Sequence, residues 1–303
     1  MTLTFHTLDV FTRQRLAGNP LAVVLDADGL DADRMQDIAR EFNLPETVFA
    51  MRPSNPAHWA KIRIFTPAAE IQFGGHPTIG TAVLLAELRM AAMGANQDAL
   101  ITLEIEIGIV RVGVRMAAGT ASFAEFDAPM LPQSAGSLAP AEQLAAALDL
   151  IPSEIGFANH RPSRFSAGNS FAFIPVRSLS AIAKARPAGA AWPTAFGGQG
   201  LVGAYLYTNE TVHKSSAFHA RMFAPDFGIA EDPATGSAAV ALAGVVQRFD
   251  APPDGVHKRM IEQGYEMGRP SSVEMSLEIS GGELGGVRIG GAAVRVSEGT
   301  LLV

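Results

Sequence analysis

The sequence contains no cysteine among its 303 residues. That absence excludes disulfide bonds, thiolate metal sites and thiol nucleophiles together. Hydrophobic residues make up 48% of the chain, yet no run of about 18 or more apolar residues occurs. We therefore expect no membrane-spanning helix.

Basic residues are also scarce, with 23 Lys and Arg against 30 Asp and Glu and a net charge of −7. A nucleic-acid partner is not expected, because phosphate recognition favours a basic face. Met1–His6 lacks a charged segment followed by an apolar one, so we expect no signal peptide and a cytoplasmic location. The seven histidines form no metal-binding pattern, and no metal site is predicted.

What the chain does contain is an internal repeat. Three short motifs recur in one order at offsets of 150, 158 and 156 residues. They are Ala17-Gly18-Asn19 with Ala167-Gly168-Asn169, Arg63–Pro67 with Arg221–Pro225, and Pro77–Ala82 with Pro233–Ala238. Two copies are too few for a solenoid, and the length suits about two domains. The repeat predicts a first lobe over 1–118, joined by a returning strand near 293–303, and a second lobe over 119–292.

Element patterns place one apolar helix in each lobe. Residues 77–90 and 233–247 are apolar on all sides, which is typical of a helix in the middle of a domain. Residues 101–115 alternate between apolar and polar, as half-buried strands do. Residues 32–41 form an amphipathic helix that Asp31 can cap. The prediction is an α+β fold, in which each lobe is a curved, mostly antiparallel sheet or barrel around a central helix.

The two apolar helices begin in similar ways. His76 precedes Pro77, and Asp232 precedes Pro233, in the position of a helix cap. Free N–H groups at such helix starts bind anions. We expect both starts to face one cleft and to hold a small carboxylate. The alternative is that Asp232 only caps its helix and His76 is a buried, hydrogen-bonded histidine.

Glu46 is a third candidate residue. It stands before a strand-like stretch, Thr47–Ala50, among apolar neighbours. Burial there would raise the pKa of its carboxyl group and suit it to proton transfer near neutral pH. The alternative is a solvated residue at a strand end.

Several ordered motifs together resemble the phenazine-biosynthesis PhzF-like isomerases. The resemblance runs from about residue 5 to residue 300. It is carried by Asp9-Val10-Phe11, Gly18–Val23, Phe65-Thr66-Pro67, Gly75-His76-Pro77-Thr78, Arg221–Pro225, Glu231–Ala238 and Met267–Ser271.

This resemblance implies a diaminopimelate-epimerase-like fold of two pseudo-symmetric lobes, with the active site in the cleft that they share. It implies that Glu46 is the general acid and base, while His76 and Asp232 position the substrate and assist proton movement. The substrate is expected to be a small carboxylate, and no cofactor is expected. A homodimer is expected as well. The expected substrate contacts are Gly75, Gly236 and Ser237.

Two departures from related enzymes narrow this expectation. Family members commonly have Ser where this chain has Pro45, which weakens the case for a dihydro-hydroxyanthranilate substrate. Diaminopimelate epimerase and proline racemase use a pair of thiols, which this chain lacks. The leading hypothesis is a cofactor-independent isomerase that moves a proton between carbons. An amino-acid or hydroxy-acid epimerase using the same carboxylate, and a non-catalytic metabolite-binding member, remain alternatives.

Two further patterns are interpreted as structural. Arg63 and Arg221 could bind a carboxylate, but their equivalent places in the repeat favour a packing role. Residues 198–203 match G-x-G-x-x-G, yet a strand-like run, Ala204–Thr208, follows them. A dinucleotide fingerprint should open a helix, so no dinucleotide site is predicted.

Overall fold

The computed structural model describes residues 2–90, 96–198 and 200–303. The chain forms two compact units, Met1–Asp127 with Gly290–Val303, and Ala128–Ile289. Each unit consists of strands packed on one apolar helix, so the predicted α+β class is confirmed. No helix of the described residues is both long and apolar enough to cross a membrane.

The described residues of the first unit form eight strands and two α-helices, besides the end of the last strand. They are β1 (Thr2–Val10), β2 (Asn19–Val24), α1 (Ala32–Phe42), β3 (Glu46–Met51), β4 (Ala60–Phe65), β5 (Glu70–Ile71), α2 (Gly75–Met90), β6 (Gln97–Ile105), β7 (Gly108–Met116) and β8 (Ser122–Asp127). β1 is antiparallel to β2, β2 is parallel to β3, and β3 is antiparallel to β4. β4 then pairs with both β5 and β6, and β7 pairs with β6 and β8.

The second unit repeats this order. Its elements are β9 (Gln133–Ser134), α3 (Ala141–Ala147), β10 (Ser163–Ala167), β11 (Asn169–Pro175), α4 (Leu179–Lys184), α5 (Trp192–Phe196), β12 (Gly203–Thr208), β13 (Phe218–Ala224), β14 (Ile229–Asp232), α6 (Gly236–Asp250), β15 (Gly255–Gln263) and β16 (Ser271–Ser280). β10 to β16 pair with one another in the same order and orientations as β1 to β7 do in the first unit. The duplication inferred from three motifs therefore extends to the strand pairing.

A last strand, β17 (Glu283–Leu302), starts in the second unit and ends in the first. Residues 293–302 run antiparallel to β1, with Ala293 opposite Val10 and Leu302 opposite Thr2. The sequence predicts a boundary between the two lobes after residue 118. In the structure, β8 pairs with β7, so the first unit extends to Asp127.

Local capping explains where α1 begins and ends. The Asp31 side chain accepts the backbone N–H of Arg34 at 2.8 Å. Asn43 ends the helix in the left-handed region at φ 49°, which asparagine tolerates better than most residues. The chain then turns directly into β3, whose first residue is Glu46. Asn43 thus helps to place Glu46 at the start of a strand.

Arg63 and Arg221 make matching contacts. Arg63 donates from Nε and Nη2 to Glu70 at 2.6 Å each, and Arg221 donates from the same atoms to Glu231 at 2.8 Å each. Each guanidinium also lies over the Phe two residues later, at 5.2 and 4.8 Å from the ring centre. Bidentate Arg–Glu pairs hold both side chains in one orientation. This supports the structural role inferred for both arginines.

Candidate active site

Glu46 and His76 lie together in the first unit. The Glu46 Oε2 and His76 Nε2 atoms are 2.9 Å apart, although the two groups are not aligned for a hydrogen bond. The His76 side chain is 5% exposed and that of Glu46 is 15% exposed. The carboxylate is therefore reachable from solvent yet surrounded by protein, and it faces a buried imidazole.

Two elements bring these side chains together. Glu46 is the first residue of β3 and pairs with Leu21 of β2. His76 is the second residue of α2. A Cβ on Gly80 would approach the Leu21 side chain to 2.5 Å, so the glycine lets α2 pack closely on β2. This close packing holds the start of α2 beside the start of β3.

The start of α2 also carries the predicted glycine. Gly75 is buried and is the first residue of the helix. The first N–H groups of a helix have no partner within it and attract negative charge. Gly75 and His76 thus stand where a carboxylate or an enolate could be stabilised.

Asp232 departs from its predicted local structure. It was expected to cap the second apolar helix, but it is the last residue of β14, and Thr235 is the N-cap of α6. The helix therefore starts after Pro233 rather than around it. Asp232 is 8% exposed, and its Oδ2 accepts the Thr235 hydroxyl at 2.6 Å. A charge-assisted hydrogen bond of this length holds the carboxylate firmly.

Behind Asp232 lies a buried polar network that the sequence analysis missed. Gln263, at the end of β15, donates to the Asp232 carbonyl at 2.7 Å and to Thr235 Oγ1 at 3.0 Å. The Tyr205 hydroxyl donates to Gln263 Oε1 at 3.2 Å. Burial raises the pKa of Tyr205, and the charge of Asp232 raises it further, so its hydroxyl stays protonated.

The other predicted contacts lie at the start of α6. Gly236 is its first residue and is buried, and Ser237 follows it and is partly exposed. They are close to Asp232 in the chain and belong, like it, to the second unit. The structure therefore groups Glu46 with His76 in one unit, and Asp232 with Gly236 and Ser237 in the other.

The repeat makes the position of Glu46 asymmetric. Glu46 faces Leu21 in the β2–β3 pair, and Gly203 faces Phe171 in the corresponding β11–β12 pair. A Cβ at Gly203 would overlap the backbone carbonyl of Phe223. The second unit consequently has neither a carboxylate nor room for one at this position.

Among the described residues, no group of three or more His, Asp or Glu side chains is arranged to hold a metal ion. The glycine-rich segment at 198–203 leads into strand β12 and not into a helix. It lacks the helix start on which a dinucleotide pyrophosphate rests.

Comparison with known proteins agrees with the fold and the motifs. The family model described as phenazine biosynthesis-like protein matches residues 8–299. An uncharacterized isomerase of Mesorhizobium japonicum is 49% identical over 100% of this chain and 99% of its own length. The trans-2,3-dihydro-3-hydroxyanthranilate isomerase of Pseudomonas aeruginosa is 33% identical, over 97% of this chain and 98% of its own.

A solved structure extends the agreement. The PhzF-family phenazine biosynthesis protein of Bacillus anthracis matches 100% of both chains with a TM-score of 0.87 and 26% identity. The resemblance inferred from the motifs is therefore confirmed. The chain belongs to the phenazine biosynthesis-like protein family and is an isomerase of the PhzF type.

Proposed function

We propose that this protein moves a proton between two carbons of a small carboxylate, with Glu46 as the general acid and base and without a cofactor. The observation that carries the proposal is the contact of the Glu46 carboxylate with the buried His76 at the start of α2. A partly buried carboxylate beside a helix start can take a proton from carbon while the nearby N–H groups stabilise the developing negative charge.

The steps balance without an external reactant. Glu46 removes a proton from one carbon, and the electron pair moves into the conjugated system of the substrate. The protonated Glu46 then returns the proton to a different carbon, so that a double bond shifts and the carboxylate is regenerated. His76 is proposed to orient Glu46 through their contact at the start of α2. The roles of Asp232, Gly75, Gly236 and Ser237 in substrate binding remain predictions.

The asymmetry at Gly203 favours a single base over two. A racemase that works by two bases needs a proton acceptor on each face of the substrate carbon. In this chain the repeat supplies a carboxylate at Glu46 and a glycine at the corresponding position. The isomerase hypothesis fits one base better than epimerisation does.

The test is carbon-bound deuterium uptake in D₂O. Wild-type protein is incubated with trans-2,3-dihydro-3-hydroxyanthranilate and a panel of small unsaturated, amino and hydroxy carboxylates, and products are followed by NMR. Glu46→Gln keeps the size of the side chain and removes its basicity, so exchange should fall by a factor of about 10² to 10⁴. Glu41→Gln, on the exposed end of α1, is the matched control and should exchange like the wild type.

The label also separates the alternatives. Deuterium at a carbon other than the one that lost its proton indicates isomerisation, whereas label at the same carbon with inversion indicates epimerisation. Full exchange by Glu46→Gln, or no exchange by the wild type across the panel, would reject the proposal. His76→Ala should weaken binding and turnover together, because positioning contributes to both.

A further inference from the structure

The polar network behind Asp232 forms a directed series of hydrogen bonds. The Tyr205 hydroxyl and the Thr235 backbone N–H both donate to Gln263 Oε1, at 3.2 and 3.3 Å. The Gln263 amide nitrogen in turn donates to Thr235 Oγ1 and to the Asp232 carbonyl. Since Gln263 donates to the Thr235 oxygen, the Thr235 hydroxyl directs its own proton to the Asp232 carboxylate.

All four hydrogen-bonding positions of the Gln263 amide are thus occupied, and the orientation of the amide is determined. Its oxygen accepts two donors and its nitrogen donates to two acceptors. Reversing the amide would place its NH₂ against the Thr235 N–H and its oxygen against the Asp232 carbonyl, which are two like-against-like contacts. Tyr205 and Gln263 are 0% exposed, so no solvent replaces a lost partner. Complete networks of this kind hold their members in one arrangement.

The first unit shows that the fold does not need polar groups at these places. Tyr205 of the second unit is equivalent to Val48 of the first. Tyr205 lies opposite Met222 in the β12–β13 pair, and Val48 lies opposite Ile64 in the β3–β4 pair. Gln263 of the second unit is equivalent to Ile105 of the first. Each follows a glutamate that pairs with the preceding parallel strand, Glu262 with His219 and Glu104 with Lys61.

Thr235 aligns with Ile79 in the helix-start motif. The equivalent residues Val48, Ile79 and Ile105 are all apolar and buried. Burying hydroxyl and amide groups costs free energy unless each is paired. Their presence in the second unit alone therefore calls for a local reason.

That reason lies in the backbone before α6. The helix of the first unit starts at Gly75, five residues earlier in the motif than α6, which starts at Gly236. In the second unit, Gln263 hydrogen-bonds the Asp232 carbonyl and the Thr235 N–H in the segment just before α6. Gly264, at φ +78°, has no room for a Cβ against the Pro233 carbonyl, so it allows this close approach.

We infer that Tyr205, Gln263 and Thr235 are positioning residues that hold Asp232 at the end of a strand and aim its carboxylate for the reaction. The inference rests on the proposed function and on the predicted role of Asp232 in substrate binding. Gln263 holds the Asp232 carbonyl and the Thr235 N–H, Thr235 donates to the carboxylate, and Tyr205 supplies the second donor to Gln263 Oε1.

Two pairs of variants test this. Thr235→Val removes the hydroxyl at nearly constant volume, and Thr235→Ser restores it. Tyr205→Phe is matched with Tyr207→Phe, because Tyr207 is also fully buried in β12 but makes its hydroxyl contact with His160, at 2.9 Å. Each variant is measured for deuterium uptake with trans-2,3-dihydro-3-hydroxyanthranilate, or with the panel carboxylate that the wild type exchanges fastest. Thermal unfolding confirms the folded fraction.

The inference expects Thr235→Val to lower kcat by about 10- to 100-fold, the range of one hydrogen bond to a charged group. Thr235→Ser should recover most of this loss. Tyr205→Phe should lower kcat by a smaller factor of about three to ten, since one neutral hydrogen bond is removed, and Tyr207→Phe should keep the wild-type rate. A purely structural network predicts instead that kcat per folded molecule is unchanged in all four.

A crystal structure of Thr235→Val gives an answer that does not depend on activity. The Asp232 carboxylate should leave its place while β14 and α6 stay where they are. An unmoved carboxylate, or equal rates for Tyr205→Phe and Tyr207→Phe, would overturn the inference. Failure of the proposed function appears separately, as unimpaired exchange by Glu46→Gln or no exchange by the wild type.

Discussion

Glu104 and Glu262, 158 residues apart, each accept two backbone N–H groups from equivalent loop residues and one histidine Nδ1. Glu104 accepts the backbone N–H groups of Ser54 and Asn55, at 2.9 Å each, and His58 Nδ1 at 2.8 Å. Glu262 accepts the N–H groups of Val212 and His213, and His219 Nδ1 at 2.9 Å. In each unit, one glutamate thus holds the loop before a strand, which is β4 in the first unit and β13 in the second.

Glu104 should make stability depend on pH in the acid range. The N–H groups of Asn55 and Ser54, followed by His58, lower the pKa of Glu104 to about 2 from a usual 4.5. A depressed folded-state pKa stabilises the protein above pH 4.5, and this contribution is lost as pH falls towards 2.

Glu104→Gln should therefore unfold at a lower temperature than the wild type at pH 7, and the difference should vanish near pH 2. Thermal unfolding followed by circular dichroism across this range measures it. Glu106→Gln, two residues away and exposed, is the control and should behave as the wild type throughout. If the difference in unfolding temperature between Glu104→Gln and the wild type stayed the same near pH 2, the lowered pKa of Glu104 would be contradicted.

His219 should affect stability in the opposite direction. Burial alone opposes its protonation, but hydrogen bonds to Glu266 and Glu262 outweigh burial and raise its pKa above 6.5. A raised folded-state pKa gives stability that is full below pH 6.5 and is lost as pH rises through the folded value.

His219→Leu should cost about 3–5 kcal/mol, because it leaves two carboxylates without the cation between them. The loss should be larger at pH 6 than at pH 9, as measured by urea unfolding. NMR titration of the ring should give a pKa above 6.5, and a value below 6.5 would show that the two glutamates do not outweigh burial. His257→Leu, on a more exposed histidine whose Nε2 hydrogen-bonds the Pro253 carbonyl, is the control.

Gly203 should not tolerate a side chain. A Cβ there would overlap the Phe223 carbonyl and lie 3.1 Å from the Ala224 Cβ. Gly203→Ala should destabilise the protein by about 1–3 kcal/mol through overpacking. Gly189→Ala meets no atom within 4 Å and should change the free energy of unfolding by no more than about 0.5 kcal/mol. Equal unfolding midpoints for the two variants would show that β12 can move aside.

Pro45 should influence which carboxylate is accepted. It precedes Glu46 at the start of β3, where the resemblance to PhzF-like isomerases implies a serine. Pro45→Ser supplies a hydroxyl and an N–H, so kcat/KM for trans-2,3-dihydro-3-hydroxyanthranilate should rise by about tenfold, the value of one hydrogen bond. Pro53→Ser, in the loop before β4, is the control. A fall in kcat/KM would indicate that the proline suits a different substrate.

Local patterns predicted much of the architecture. The cap at Asp31, the alternation of residues 101–115 and the apolar helix near 77–90 each depend on neighbours a few residues away, and each was found. The start of the second apolar helix was predicted wrongly at Pro233. Its backbone there is held by Gln263, about 30 residues further along the chain, so local capping rules could not reveal it.

Extending the repeat alignment would have pointed to the missed network. Gln263 aligns with Ile105, and Tyr205 with Val48, so polar residues replace apolar ones in one copy only. Such a difference marks a position where one copy does something that the other does not.

By itself, the sequence determined the duplication, the α+β class and the candidate residues Glu46, His76 and Asp232, because periodicity, capping and repeat offsets are local or linear properties. Only the tertiary structure decided that Glu46 contacts His76, and that Gly203 leaves no room for a carboxylate at the position equivalent to Glu46. It also decided that Asp232 ends a strand and that Gln263 hydrogen-bonds its carbonyl. Those relationships join segments separated by 20 to 31 residues. They arise from the packing of strands and helices, which no local pattern encodes.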